Sequence, residues 1–105
     1  MKIYKYLFKI FSLDEWKTIK KKGELKLKET RSDQKFIHLC TEQQLQETIE
    51  IHFKKIKKII IVKLNFKGLE RKLRWEKSRN KDFFPHHYGN ISFKNILDIK
   101  EIENK

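Results

Sequence analysis

The sequence predicts a small mixed α/β (α+β) domain, with mostly antiparallel sheet and two main helices. Three observations predict it. Two capping-box motifs, Ser12-Leu13-Asp14-Glu15 and Thr41-Glu42-Gln43-Gln44, each open a stretch with apolar residues at helical spacing. About six short runs carry the aromatic and β-branched residues typical of strands. Two helices are too few to serve as crossovers among six parallel strands, whereas antiparallel neighbours need only short turns. With 105 residues and no repeat or low-complexity linker, one domain over 1–105 is expected.

The elements follow in order. Residues 2–10 set Ile3, Tyr4, Tyr6, Leu7, Phe8 and Ile10 among lysines and read as a strand. In the helix opened by Ser12, Trp16 and Ile19 face the core, Lys20 to Lys22 complement the C-terminal dipole, and Gly23 supplies a left-handed stop. Glu24 to Lys28 reads as a short strand with Leu25 and Leu27 on one face. Glu29 to Lys35 is polar and loop-like, and Phe36-Ile37-His38-Leu39 is a short apolar strand. From Thr41 a helix is expected through about Lys55, with Leu45, Ile49, His52, Phe53 and Ile56 at helical spacing. Ile59 to Phe66 is a strand apolar enough for burial on both faces. Gly68 marks a turn. Residues 72–76 form a strand that enters a long loop carrying Pro85 and Gly89. Ile96, Leu97, Ile99 and Ile102 close the chain as a strand after one helical turn at Ser92 to Asn95.

Composition bounds the function classes. The formal charge is +12 and the pI near 9.8, which invites a nucleic-acid partner. Of 26 basic residues only Arg31, Arg71, Arg74 and Arg79 are arginine, leaving 22 lysines. Arginine is the better residue for bidentate recognition of phosphate. Lysine-heavy basicity is what an AT-rich genome writes onto any fold, so a solvated lysine face is favoured over a nucleic-acid role. The lone Cys40 excludes an intramolecular disulfide and suits a reducing compartment. Lys2, Lys5 and Lys9 interrupt the first apolar stretch, and the longest apolar run, Ile59 to Val62, is too short to span a bilayer. A cytoplasmic protein without membrane contact, monomeric or weakly dimeric, is expected.

The segment from Arg74 to Gly89 is unlike the rest. It gathers Arg74, Trp75, Glu76, Ser78, Arg79, Asp82, Phe84, Pro85, His86, His87 and Tyr88. Two uses are open: a pocket with aromatic walls and a few placed polar groups, or a surface loop pinned by Trp75 and Phe84 with solvated histidines. His38 lies at a strand end just before a helix N-cap, where free N–H groups favour anions. Cys40 shares that position, so its thiol pKa is expected to fall, although a small buried side chain is the favoured role. No metal site is expected. His86 and His87 are adjacent and diverge in an extended chain, and no Cys-x-x-Cys is present.

Together these stretches resemble a known family. Ile3-Tyr4-Lys5, Phe36-Ile37-His38-Leu39-Cys40-Thr41, His52-Phe53, Arg74-Trp75-Glu76-Lys77-Ser78-Arg79 and Phe84-Pro85-His86-His87-Tyr88-Gly89 match, in order and spacing, the domain-of-unknown-function 952 family. The resemblance runs from about Ile3 to Ile102 and implies a fold similar to that of ADP-ribosyltransferases. It implies NAD, or an ADP-ribosylated small molecule, as ligand. By that analogy His38 contacts a ribose, Tyr88 stacks on a ring, Arg74 clamps a phosphate or carboxylate, and Glu76 or His86 polarises a hydroxyl. The catalytic set is then His38, Glu76 and His86, and the cofactor-binding set Thr41, Arg74, Ser78 and Tyr88. The sequence departs from the family where Cys40 replaces a usual Ser, Lys77 a frequent Pro and Asn80-Lys81 small residues. His87 replaces a usual aliphatic, which points to His86 as the functional histidine. A non-catalytic ligand-binding module and a lysine-rich nucleic-acid-associated protein are the alternatives.

Overall fold

A computed structural model describes residues 4–28, 33–78 and 82–104. The expectations on Ile3, residues 29–32 and residues 79–81 lie outside them. The strands are β1 (Tyr6–Ser12), β2 (Glu24–Leu25), β3 (Ile37–His38), β4 (Lys58–Asn65), β5 (Leu73–Lys77), β6 (Phe83–His87), β7 (Ile91–Ser92) and β8 (Ile96–Glu103). The helices are α1 (Leu13–Ile19) and α2 (Leu45–His52), with single 3-10 turns at Glu42–Gln44, Phe66–Gly68, Glu70–Lys72 and Phe93–Asn95. Among the described residues all strand pairs are antiparallel. They form three small sheets, ordered β1-β4-β8, β2-β7 and β3-β6-β5. This is an α+β arrangement in which the antiparallel pairs, the β5–β6 hairpin apart, join strands distant in sequence.

The first sheet carries the core. Leu7 and Phe11 of β1 and Ile60, Val62 and Leu64 of β4 pack one face against Trp16 and Ile19 of α1, with Leu25, Ile37 and Ile91 from the smaller sheets. On the opposite face Phe8, Ile10 and Ile59 pack with Cys40 and with Leu45 and Ile49 of α2. β4 is thus apolar on both faces for the reason its sequence suggests: each face has its own cover. Each large apolar side chain so buried contributes about 1.5–3 kcal/mol.

Both caps form. The Ser12 hydroxyl accepts from the Glu15 N–H, and Glu15 Oε1 accepts from the Ser12 N–H. Gln44 Oε1 accepts from the Thr41 N–H at 3.0 Å. Gly23 takes φ +79°, the left-handed value expected after α1.

Two expectations fail. The stretch from Arg74 to Gly89 is not a long loop: it is the β5–β6 hairpin, with β6 central in its sheet. Pro85 has no N–H to give to a ladder, which ordinarily confines proline to strand edges and bulges. The structure accommodates it at the end of the ladder. Leu39 N–H donates to Pro85 O at 3.1 Å, nothing returns, and the chain leaves β3 to pair Cys40 with Phe8. The second correction is at α2, which stops at His52 instead of Lys55. The carbonyls of Phe53 and Ile56 are taken by the Asn104 side-chain amide, from the far end of the chain. Residues 53–57 therefore close as turns.

Candidate functional site

Strand alternation decides which side chains of the β3-β6-β5 sheet share a face. Ile37, Pro85 and His87 are buried on one side. His38, His86 and Arg74 lie directly opposite one another across the three strands, on the other side. Phe36 and Tyr88 extend that face in one direction and Glu76 in the other. All five residues singled out from the sequence (His38, Arg74, Glu76, His86 and Tyr88) thus come together.

Their contacts form two imidazole–carboxylate pairs around one aromatic ring. His38 Nδ1 meets Asp33 Oδ1 at 2.8 Å, and Asp33 Oδ2 meets Lys9 Nζ at 2.8 Å. His86 Nδ1 meets Glu76 Oε1 at 2.8 Å, an oxygen that also accepts from Tyr88 Oη at 2.7 Å. The Phe36 ring stacks on His86 at 4.1 Å between centroids, with His38 at 4.6 Å and Tyr88 at 5.2 Å. The two imidazoles are 5.2 Å apart, edge to face. The Arg74 guanidinium lies over Tyr88, 5.0 Å from its centroid.

An ionised carboxylate can only accept, so each Nδ1 carries the proton and each neutral ring keeps a bare Nε2. That is the requirement for a general base held by an orienting partner. Burial opposes ionisation of Asp33, but the bonds from His38 and the Lys9 ammonium outweigh it and hold its pKa at about 2. Burial pushes His86 below the ordinary imidazole value, against the pull of Glu76. Hydrogen bonds from Tyr88 and then His86 lower Glu76, and the same bond raises Tyr88.

The other singled-out residues stand apart from this network. Thr41 is buried, and its N–H is engaged by Gln44 as a helix cap. Ser78 follows β5 at the hairpin end, with its N–H on Asp82 O. His87 faces the core and gives its Nδ1 proton to Gly89 O, and burial lowers its pKa. Neither His86 nor His87 is solvated. The expectation of an acidified thiol at Cys40 is corrected: burial raises its pKa to about 12, so it is a packing residue. Among the described residues no group of three or more His, Cys, Asp or Glu side chains is arranged to hold a metal ion. No helix there is long and apolar enough to cross a membrane.

Sequence reading missed Asp33, Lys9 and the role of the Phe36 ring. One signal was available for Lys9. It occupies the inward parity of β1 between Leu7 and Phe11, where a lysine requires a buried partner.

The family profile described as "Protein of unknown function (DUF952)" matches residues 10–99. The chain belongs to this family. The match takes in β3, β5 and β6, and with them Phe36, His38, Arg74, Glu76, His86 and Tyr88. The crystal structure of protein CC0527 from Caulobacter crescentus is similar to this DUF952 chain, with a TM-score of 0.82 and 27% identity. The alignment covers 93% of this chain and 86% of that one. The solution structure of CC0527 gives a TM-score of 0.79 at 27% identity, covering 93% and 84%. Both are structural genomics targets, and their similarity extends over nearly the whole DUF952 chain. No curated protein matches.

Proposed function

We propose that this sheet face is a transferase-type site for NAD or an ADP-ribosylated small molecule. The observation that carries it is the row His38–His86–Arg74, flanked by Glu76 and by two aromatic rings. Such a ligand combines ribose hydroxyls, a pyrophosphate and flat rings. The row offers a bare imidazole nitrogen on the exposed His38, a guanidinium for the anion, and aromatic surface from Phe36 and Tyr88. The family resemblance implies a fold similar to that of ADP-ribosyltransferases, and that implication supports the same ligand class. In this reading His38 contacts the ribose and Arg74 pairs with phosphate. Glu76 and His86, already bonded to each other, polarise the accepting hydroxyl.

Thermal unfolding with NAD, nicotinamide and ADP-ribose tests it. A ligand at a hundred times its Kd stabilises by about 2.7 kcal/mol. The expected result is a rise in Tm that His38→Ala and Arg74→Ala both abolish. No rise with any of the three compounds, or a rise that both variants retain, would sink the proposal.

A second reading, a nucleic-acid-associated protein, has one observation behind it. Lys54, Lys55, Lys57 and Lys58 line a surface depression of about 450 Å3 with Ile56, Glu103 and Asn104. Oligonucleotide binding that falls steeply with added salt, and is lost when these lysines are replaced, would favour it.

A further inference from the structure

We propose that β8 is a homodimer interface, pairing with a second copy of itself to join two three-stranded sheets into one of six strands. β8 is the outer strand of the β1-β4-β8 sheet, and seven of its eight residues are exposed. Among the described residues no strand pairs with its free edge. Long open edges are ordinarily blunted by a proline, a bulge or clustered lysines. β8 has no proline and one lysine, and its one bulge, at Leu97, leaves Asp98 to Glu103 in regular register with β4. It instead exposes Leu97, Ile99 and Ile102. An unpaired row of backbone donors and acceptors beside apolar side chains is the template for strand addition.

The sequence of the strand identifies a second copy as the occupant and fixes the register. Two identical antiparallel edges joined in one sheet are related by a two-fold axis perpendicular to it, so one residue must face its own copy. Centring on Asp98, Lys100, Glu101 or Glu103 opposes like charges, and centring on Ile96 or Leu97 overlaps no more than residues 96–98 of the strand, because a 3-10 turn precedes it. Centring on Ile102 sets Glu101 against Glu103 of the second copy, twice. Centring on Ile99 puts apolar against apolar and sets Asp98 opposite Lys100 of the second copy, on both sides of the axis. Each Asp98 then stands between that lysine and Lys63, its partner on β4. Ile99, the partner of Val62, continues the core-facing side of the sheet across the junction. The strand also carries three carboxylates to one ammonium within a chain of charge +12, so the edge avoids the strongest self-repulsion.

Sedimentation equilibrium on the full chain, from micromolar to millimolar concentration, tests the assignment. The mass should rise toward that of a dimer. Asp98→Lys and Lys100→Asp, taken singly, should each weaken association by on the order of tenfold, since both cross-strand pairs become repulsive. An equimolar mixture of the two variants should recover it, because one chain then presents two lysines to two aspartates. Circular dichroism checks that each variant is folded. Ile99→Lys, at a position already open to solvent, should abolish association by placing two ammonium groups on the axis. A monomer at every concentration overturns the proposal. So does association that survives Ile99→Lys, or single variants whose mixture gains nothing.

Discussion

The two imidazole–carboxylate pairs of the site use the same 2.8 Å bond with opposite burial. Around His38 the carboxylate is inside: the Asp33 side chain is 4% exposed and the imidazole 46%. Around His86 the imidazole is inside, 10% exposed, while the Glu76 carboxylate is 38% exposed. Burial acts on whichever partner it covers. A buried carboxylate needs a compensating cation, and Lys9 provides it. A buried imidazole simply stays neutral. The first pair is therefore a buried anion orienting an exposed ring. The second is a buried ring kept toward its neutral form, bonded to a more exposed carboxylate that also accepts from Tyr88.

The largest way to break this contrast is to remove the cation beneath the first pair. Lys9→Met leaves Asp33 as an uncompensated buried charge and should cost about 3–5 kcal/mol in urea unfolding. The Glu76 pair has no such dependency.

Acid should separate the pairs next. The folded pKa of Asp33 is depressed to about 2, from an ordinary value near 3.9. Its contribution is complete above pH about 4 and is lost as pH falls toward about 2, amounting to about 2 kcal/mol. Asp33→Asn should flatten that part of the stability–pH curve. For His86 the folded pKa is also depressed, so its contribution holds above the unfolded value of about 6.5 and falls away as pH drops through the folded one. Proton NMR should find His86 titrating below the ordinary imidazole value, and lower still in Glu76→Gln.

A smaller effect sharpens the surface side. Tyr88→Phe removes the strongest influence on Glu76, whose carboxyl should titrate closer to its ordinary value by carbon NMR. The smallest stability change is expected at the exposed ring. His38→Ala removes one bond to the buried Asp33 carboxylate and should cost about 1 kcal/mol, well below Lys9→Met, while abolishing the proposed ligand-induced rise in Tm. A large loss of stability in that variant would show the pair to be structural.

Most local elements were legible in the sequence because local bonds make them. Ser12 with Glu15, Thr41 with Gln44, Gly23 and the turn before β8 rest on contacts a few residues apart, and β4 is marked by its own unbroken apolar run. β6 was misread because Pro85 is a local argument against a strand, and the ladder end that tolerates it is a non-local fact. The end of α2 was misread for the same reason, the carbonyls of Phe53 and Ile56 just beyond it being taken by Asn104.

By itself, then, the sequence determined the α+β class, the caps, and the two stretches that meet at the site. Within those stretches the family resemblance singled out His38, Arg74, Glu76, His86 and Tyr88. Only the tertiary structure decided that the nominees share one sheet face, and which partner of each pair is buried. The register between β3, β5 and β6 sets the first. The approach of Lys9 on β1 to Asp33 sets the second. Both join residues ten or more positions apart, where chain closure and packing, not local periodicity, fix the geometry.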